Sequence, residues 1–468
     1  MGGVFSLNHN GTGDGHHYEG SEGDTSKRRR VTSYFDSSTR LIPSIPDEIS
    51  LQILARVPRV HYLRLKLVSR CWKEAITNPE IYNLRREFKM TEEWLFMLSR
   101  ADGGLLWHAL DPVSKKWVKL PPMPHALQDE SRKRLGLHQM WNSWGSRVKV
   151  ADTIRGWLGG SDPLNKMQFC GCSMGVVNGY LYVIGGLSKT LALRCVWRYD
   201  PILNIWSEVT PMSTGRAYCK TGVINNKLYV VGGVNKFRNG LTPLQSAEVF
   251  DPETGEWSEV LSMPFSKAQV MPTAFLANLL KPIATGLTTY RGKLYVPQSL
   301  YCWPFFVDAG GEIYDPKTNS WIEMPVGMGE GWPAKQAGTK LSAVVDDKLY
   351  AIELSDSWDS AKVKVYDHQD DSWKVVHGEV PMTYDPVNAE SPYLLTGFDG
   401  KLHVIVKDAN CNFVVLEATT ESPAPPLRSD ESSSGSSVES TPSSLFWKVV
   451  ARKCAESAEL ISCQILSI

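Results

Sequence analysis

The 468-residue chain lacks the features that mark several common function classes. It carries no net charge, with 50 basic against 50 acidic side chains, and so offers no general attraction to nucleic acid or an anionic membrane. It has no run of about 18 apolar residues, which excludes a transmembrane helix. Its nine cysteines are odd in number and scattered; only Cys170 and Cys172 stand close together, and no CxxC pair occurs. That pattern speaks for a reducing compartment, cytoplasmic or nuclear, and against zinc ligation or a disulfide framework. No serine nucleophile elbow, phosphate loop or redox cysteine pair is present. Neither an intrinsic active site nor a cofactor is expected.

What the chain does have is repetition. Asp111, Asp200, Asp251, Asp315 and Asp367 are each followed six residues later by a tryptophan: Trp117, Trp206, Trp257, Trp321 and Trp373. Proline follows the aspartate in four copies (Pro112, Pro201, Pro252, Pro316) and His368 in the fifth, while a large apolar residue precedes it: Leu110, Tyr199, Phe250, Tyr314 or Tyr366. The spacing predicts a β-hairpin in which an apolar strand ends on Asp, Pro presets the turn and Trp opens the return strand.

A second pattern lies upstream. Lys227-Leu228-Tyr229-Val230-Val231 and Tyr180-Leu181-Tyr182-Val183-Ile184 are short apolar strands ending on the pairs Gly232-Gly233 and Gly185-Gly186. Lys293-Leu294-Tyr295, Lys348-Leu349-Tyr350 and Lys401-Leu402-His403 keep the outline without the glycines. Each unit reads as four strands at a period of about 50 residues, and from about residue 94 to 468 the chain resembles kelch repeats. Counting a sixth unit from Lys401–Val406, Asn412–Glu417 and Trp447, the expected fold is mainly β, a six-bladed kelch β-propeller over 93–468. The first unit starts abruptly at Glu93–Leu98, and the apolar C-terminal stretch Ala458–Ile468 is its expected partner.

Residues 41–88 are of a different kind, a small all-α segment. Ser44, Pro46, Asp47 and Glu48 read as a helix start, Ile49, Ile53 and Val57 recur at helical spacing, and Pro58 ends the run. A second stripe carries Leu63, Leu67, Val68, Cys71, Trp72, Ala75 and Ile76, stopped at Asn78-Pro79. Together Ile45-Pro46-Asp47-Glu48-Ile49, Ile53-Leu54, Val57-Pro58, Leu63, Leu67-Val68-Ser69-Arg70 and Trp72 resemble an F-box. That resemblance implies docking to a Skp1-type adaptor, and through it to a cullin-based ubiquitin ligase. The implied contact residues are Ile45, Pro46, Ile49, Ile53, Leu54, Pro58, Leu63, Leu67, Val68 and Trp72.

The remaining segments carry weaker patterns. Residues 1–38 are rich in Gly, Ser and charge and are expected to be a disordered tail. Within it Gly2 fits the N-myristoylation pattern, the only route to membrane contact, and Lys27–Arg30 form a basic run. An insertion is expected at about 125–168, with a basic helix carrying Trp144, and a disordered Ser-rich loop at about 420–444.

F-box followed by kelch repeats describes a large group of plant proteins, which the chain resembles along nearly its whole length. The resemblance implies a substrate receptor whose propeller presents a target protein while catalysis belongs to other subunits. Target contacts are expected over the mouth of the ring, from Arg216, Tyr218, Lys267, Gln269, Lys335 and Gln336 near the inner strands and from Arg238, Asn239, Trp303 and Trp358 in loops. The basic members favour an acidic target segment. Two alternatives stay open: a kelch scaffold outside any ligase, and a propeller enzyme such as the copper oxidases. Against the latter, His108, His368, His377 and His403 show no pairing at ligand spacing.

Overall fold

The computed structural model describes residues 40–101, 104–124, 171–188, 191–237, 240–264, 282–302, 305–332, 342–354, 360–381, 393–419 and 446–468. The expected tail, Gly2, the insertion and the Ser-rich loop lie outside them. The chain parts into two compact units, residues 1–50 and 51–468.

Six antiparallel sheets form the blades of a β-propeller. In blade 2 the strands run Ser173–Val177, Tyr180–Ile184, Val196–Asp200 and Ile205–Val209, from the innermost outward. Blade 3 repeats this with Lys220–Ile224, Lys227–Val231, Ala247–Asp251 and Glu256–Val260. Blades 4, 5 and 6 have innermost strands Thr288–Tyr290, Ser342–Val345 and Tyr393–Phe398. Blade 1 is closed by the chain end: Glu459–Ser467 is its innermost strand, paired with Glu93–Ala101 through Leu95 with Ile465 and Met97 with Cys463. This pairing covers the inner edge of Glu93–Ala101.

The recurring aspartate is explained by its side chain. Asp111, Asp200, Asp251, Asp315 and Asp367 each accept the backbone N–H two residues ahead, at 2.7–3.0 Å, folding the hairpin as an Asx turn. The residue before the aspartate is coupled to the turn as well. Tyr199, Tyr314 and Tyr366 donate their hydroxyls to Asn204, Asn319 and Asp371, which stand at positive φ. In blade 3, Phe250 has no hydroxyl, and the corresponding turn residue is Gly255, at φ 73°.

The tryptophans tie blade to blade. Trp206, Trp257, Trp321 and Trp373 lie opposite Tyr199, Phe250, Tyr314 and Tyr366, whereas Trp117 faces Leu110. The indole N–H then reaches a backbone carbonyl at the exit of the preceding blade: Trp206 to Pro121 at 3.0 Å, Trp257 to Thr210 at 2.8 Å, Trp321 to Leu261 at 2.6 Å and Trp373 to Met328 at 2.9 Å. Trp447 does the same in blade 6, to Gly378 at 3.3 Å. Trp117 makes no such bond. All of these indoles are half-buried, less enclosed than the repeat pattern suggests, because one ring edge meets solvent at the outer strand.

The glycine pairs serve close backbone approach. Gly185 and Gly233 have positive φ, and a Cβ on either would collide with a carbonyl oxygen, of Arg216 and Ala217 respectively.

In the N-terminal unit, the Leu41 N–H donates to Asp47 at 2.9 Å and the Ser50 hydroxyl to the Pro46 carbonyl at 3.0 Å. Helix α1 spans Asp47–Ala55. Ser44, at φ 66°, stands outside it and is not its cap, a correction to the sequence expectation. The predicted second stripe is two helices, α2 (Tyr62–Leu65) and α3 (Arg70–Thr77), parted at Ser69, whose hydroxyl caps α3 by accepting the Trp72 N–H. Helix α4 (Pro79–Glu87) follows, with Pro79 at its start and Asn78 as cap.

Candidate adaptor and target surfaces

Apolar residues that a folded helix would normally bury stand exposed on the helical segment. Leu67 is 85% accessible, and Leu63, Val68 and Ile53 are also exposed. In residues 40–50, Pro46 and Ile49 are exposed and Ile45 is half-buried. Pro58 and Trp72 are half-buried. Leu54, expected among the contacts, is instead core at 1% accessibility, because it faces inward from α1, and its carbonyl accepts the buried Tyr62 hydroxyl at 3.0 Å. Exposure of several large apolar side chains on so few residues marks an interaction surface.

A buried polar hub fixes the helices to the propeller. Arg85 of α4 donates to the carbonyls of Ala55 and Val57 at 2.9 and 2.8 Å and pairs with Glu92 at 2.7 Å. Glu92 leads into the first blade and also accepts the Arg59 N–H and the Trp94 indole, each at 3.1 Å. Arg59 and Lys66 then donate to the carbonyls of Pro201 and Ile202, in the outer hairpin of blade 2. Burial pulls the pKa of Arg59 down, with Arg85 adding to this. The sequence pattern singled out none of Arg59, Arg85 and Glu92, and the contacts of Arg59 and Lys66 depend on a hairpin over a hundred positions away.

The propeller has two ends. Hairpins between third and outer strands, where Arg59 and Lys66 dock, lie at one; the second strand runs to the third, and each blade to the next, at the other. Down the axis is a channel of about 350 Å³, lined from all six innermost strands. Strand register stacks its wall in rings: Gly175, Gly222, Thr288, Ala343, Thr396 and Gln464 form one. No charged side chain lines it among the described residues. Its polar groups pair across blades, Gln464 donating to the Met174 carbonyl at 2.9 Å and Thr288 meeting Ser342.

Of the expected target contacts, Arg238, Asn239, Lys267, Gln269, Trp303, Lys335, Gln336 and Trp358 lie outside the described residues. Arg216 requires correction. It is fully buried, donates to the carbonyls of Gly232 and Ser246 at 3.1 and 2.9 Å, and pairs with Glu248 at 2.5 Å. The Arg216 side chain therefore ties the second and third strands of its own blade and does not face a ligand. Tyr218 is half-buried at φ 56°, its N–H donating to the Gly171 carbonyl at 2.6 Å.

The histidines have structural partners. His368 stacks on Tyr290 with ring centroids 5.2 Å apart, and His403 packs edge-on against Phe398. His108 is buried, and burial, aided by Lys453 and Lys119, lowers its pKa to about 4. Among the described residues no three His, Cys, Asp or Glu side chains are grouped to hold a metal, and no helix is long and apolar enough to cross a membrane.

A helical segment with an exposed apolar surface joined to a six-bladed propeller defines a two-part class, and both parts are matched by known families. Residues 42–84 match the F-box domain, and residues 168–213 and 215–264 match the Kelch motif. The chain belongs to the plant F-box/kelch-repeat family. It is 54% identical over 457 residues to F-box/kelch-repeat protein At1g22040 of Arabidopsis thaliana, covering 95% of both chains. F-box/kelch-repeat protein At1g30090 of the same species is 30% identical over 67% of this chain and 64% of its own length. F-box protein AFR, also from Arabidopsis thaliana, is 25% identical over 70% of this chain and 74% of its own.

Proposed function

We propose that this F-box protein is the substrate receptor of a Skp1–cullin–F-box ubiquitin ligase. The exposed apolar residues of the F-box helices carry the reading. Ile45, Pro46, Ile49, Ile53, Leu63, Leu67, Val68 and Trp72 supply the adaptor contact, with Pro58 at its border. The helices dock at the outer-hairpin end of blade 2, and we assign the target protein to the opposite end, where the blade-to-blade connections lie. The polar hub that joins the helices to the propeller holds a bound target near the transfer machinery, so catalysis is by proximity and the chain itself is not an enzyme. Loop residues Arg238, Lys267, Gln269, Trp303, Lys335, Gln336 and Trp358 remain the proposed target contacts, together with Tyr218. Myristoylation of Gly2 would add membrane contact.

The test is co-purification of the tagged full chain with a Skp1-type adaptor. Ile45→Ala with Pro46→Ala, and separately Leu67→Asp, are expected to reduce adaptor recovery tenfold or more, about 1.4 kcal/mol. Wild-type recovery by both variants, with an unchanged circular dichroism spectrum, would overturn the ligase reading and leave a scaffold.

A further inference from the structure

We propose that Lys220 is an anchor for a carboxylate at the loop-side mouth of the axial channel, so that the captured target segment is acidic. This deepens the receptor reading and rests on it.

Lys220 opens the innermost strand of blade 3, immediately before Thr221, Gly222 and Val223, which line the channel. Side chains two apart on a strand share a face. Lys220 therefore projects on the same side as Gly222, one step nearer the end where the blade-to-blade connections lie. The position aligned with it in blade 4 is Gly286, by the pairing of Gly222 with Tyr229 and Thr288 with Tyr295. Leu287, the next residue of blade 4, lines the channel.

The ammonium has no hydrogen-bond or ion-pair partner among the described residues. The neighbouring cation, Arg216, is engaged by Glu248. Lys220 is only partly accessible, and burial pulls its pKa down to about 8. A partly buried cation with no counter-charge among the described residues gains from an arriving anion, which restores the charged form. The channel wall adds no carboxylate to repel one. Thr221, Thr288, Ser342, Thr396 and Gln464 of the wall already pair with one another or with backbone, so Lys220 distinguishes ligands by charge.

The experiment labels the full-length protein with pyridoxal 5′-phosphate at pH 8, fixes the imine with borohydride and maps modified lysines by mass spectrometry. Lys220 is expected to label on the order of tenfold faster than exposed Lys227, as its lowered pKa leaves more free amine. Hexaglutamate should protect it and hexaglutamine should not. Lys220→Gln should remove the protectable label while Lys227 reacts as before. No labelling of Lys220 in the folded protein, or equal protection by both peptides, would overturn the proposal. The assay contains no adaptor, so its failure is separable from failure of the ligase reading.

Discussion

Replacing Glu248 by Leu should destabilise the propeller by about 3–5 kcal/mol, because it strands the Arg216 guanidinium in a buried site. Both side chains are almost fully enclosed, at 0% and 2% exposure, and their contact is 2.5 Å. Glu248 also accepts from the Ser213 N–H at 2.8 Å and hydroxyl at 2.6 Å, so its loss leaves these donors unmatched as well. Against a typical stability of about 5–15 kcal/mol, this is a large fraction. Urea unfolding followed by tryptophan fluorescence measures it as a lower midpoint at unchanged slope. The double variant Arg216→Met with Glu248→Leu removes both charges and should recover to within about 1–2 kcal/mol of wild type. The wild type carries a pH dependence through the same pair. Burial pushes the Glu248 carboxyl up, but hydrogen bonds from Ser213 and Arg216 and the charge of Arg216 outweigh this and hold it below its ordinary 4.5. The pair's contribution is therefore present above pH 4.5 and lost as the pH falls through the folded-state value, and Glu248→Gln should lack that loss. A cost below about 1 kcal/mol for Glu248→Leu would refute the reasoning and return Arg216 to the list of free surface groups.

Three further outcomes follow from the blade architecture. Trp257→Phe keeps most of the ring but deletes the bond to Thr210, so it should cost about 1 kcal/mol more than Trp117→Phe, where no bond is lost; equal shifts in thermal midpoint would make the indole bond idle. Truncation after Cys454 opens blade 1 and removes the buried side chains of Leu460, Cys463 and Leu466, which should cost roughly 5 kcal/mol and lower the melting temperature of the whole ring; an unchanged melting curve would show the strand to be dispensable. His108, neutral and buried, has its pKa lowered from 6.5 to about 4, so stability should fall by up to about 3 kcal/mol as the pH drops between those values, and His108→Gln should flatten that slope in denaturation series at pH 7 and 4.5.

The sequence by itself determined the propeller. An Asx turn is made by residues two apart and a hairpin by residues six apart, so Asp251 and Trp257 announce their geometry locally, five times over. The partner of the C-terminal strand was also legible, because an apolar strand without a neighbour at each end of the repeat leaves one economical pairing. The F-box was readable for the same reason, as a dense local pattern. What only the tertiary structure decided are the contacts between residues far apart in the chain. Arg216 looks like a surface cation at the start of a strand, and only the approach of Glu248 from another strand of its own blade makes it an interior one. Leu54 and Ile53 are neighbours of like character, and which is core and which is surface depended on how α1 rotates against Tyr62. The hub of Arg85 and Glu92, the grip of Arg59 and Lys66 on blade 2, and the unpaired ammonium of Lys220 have no local pattern. Each is set by how the packed elements bring polar groups together or keep them apart.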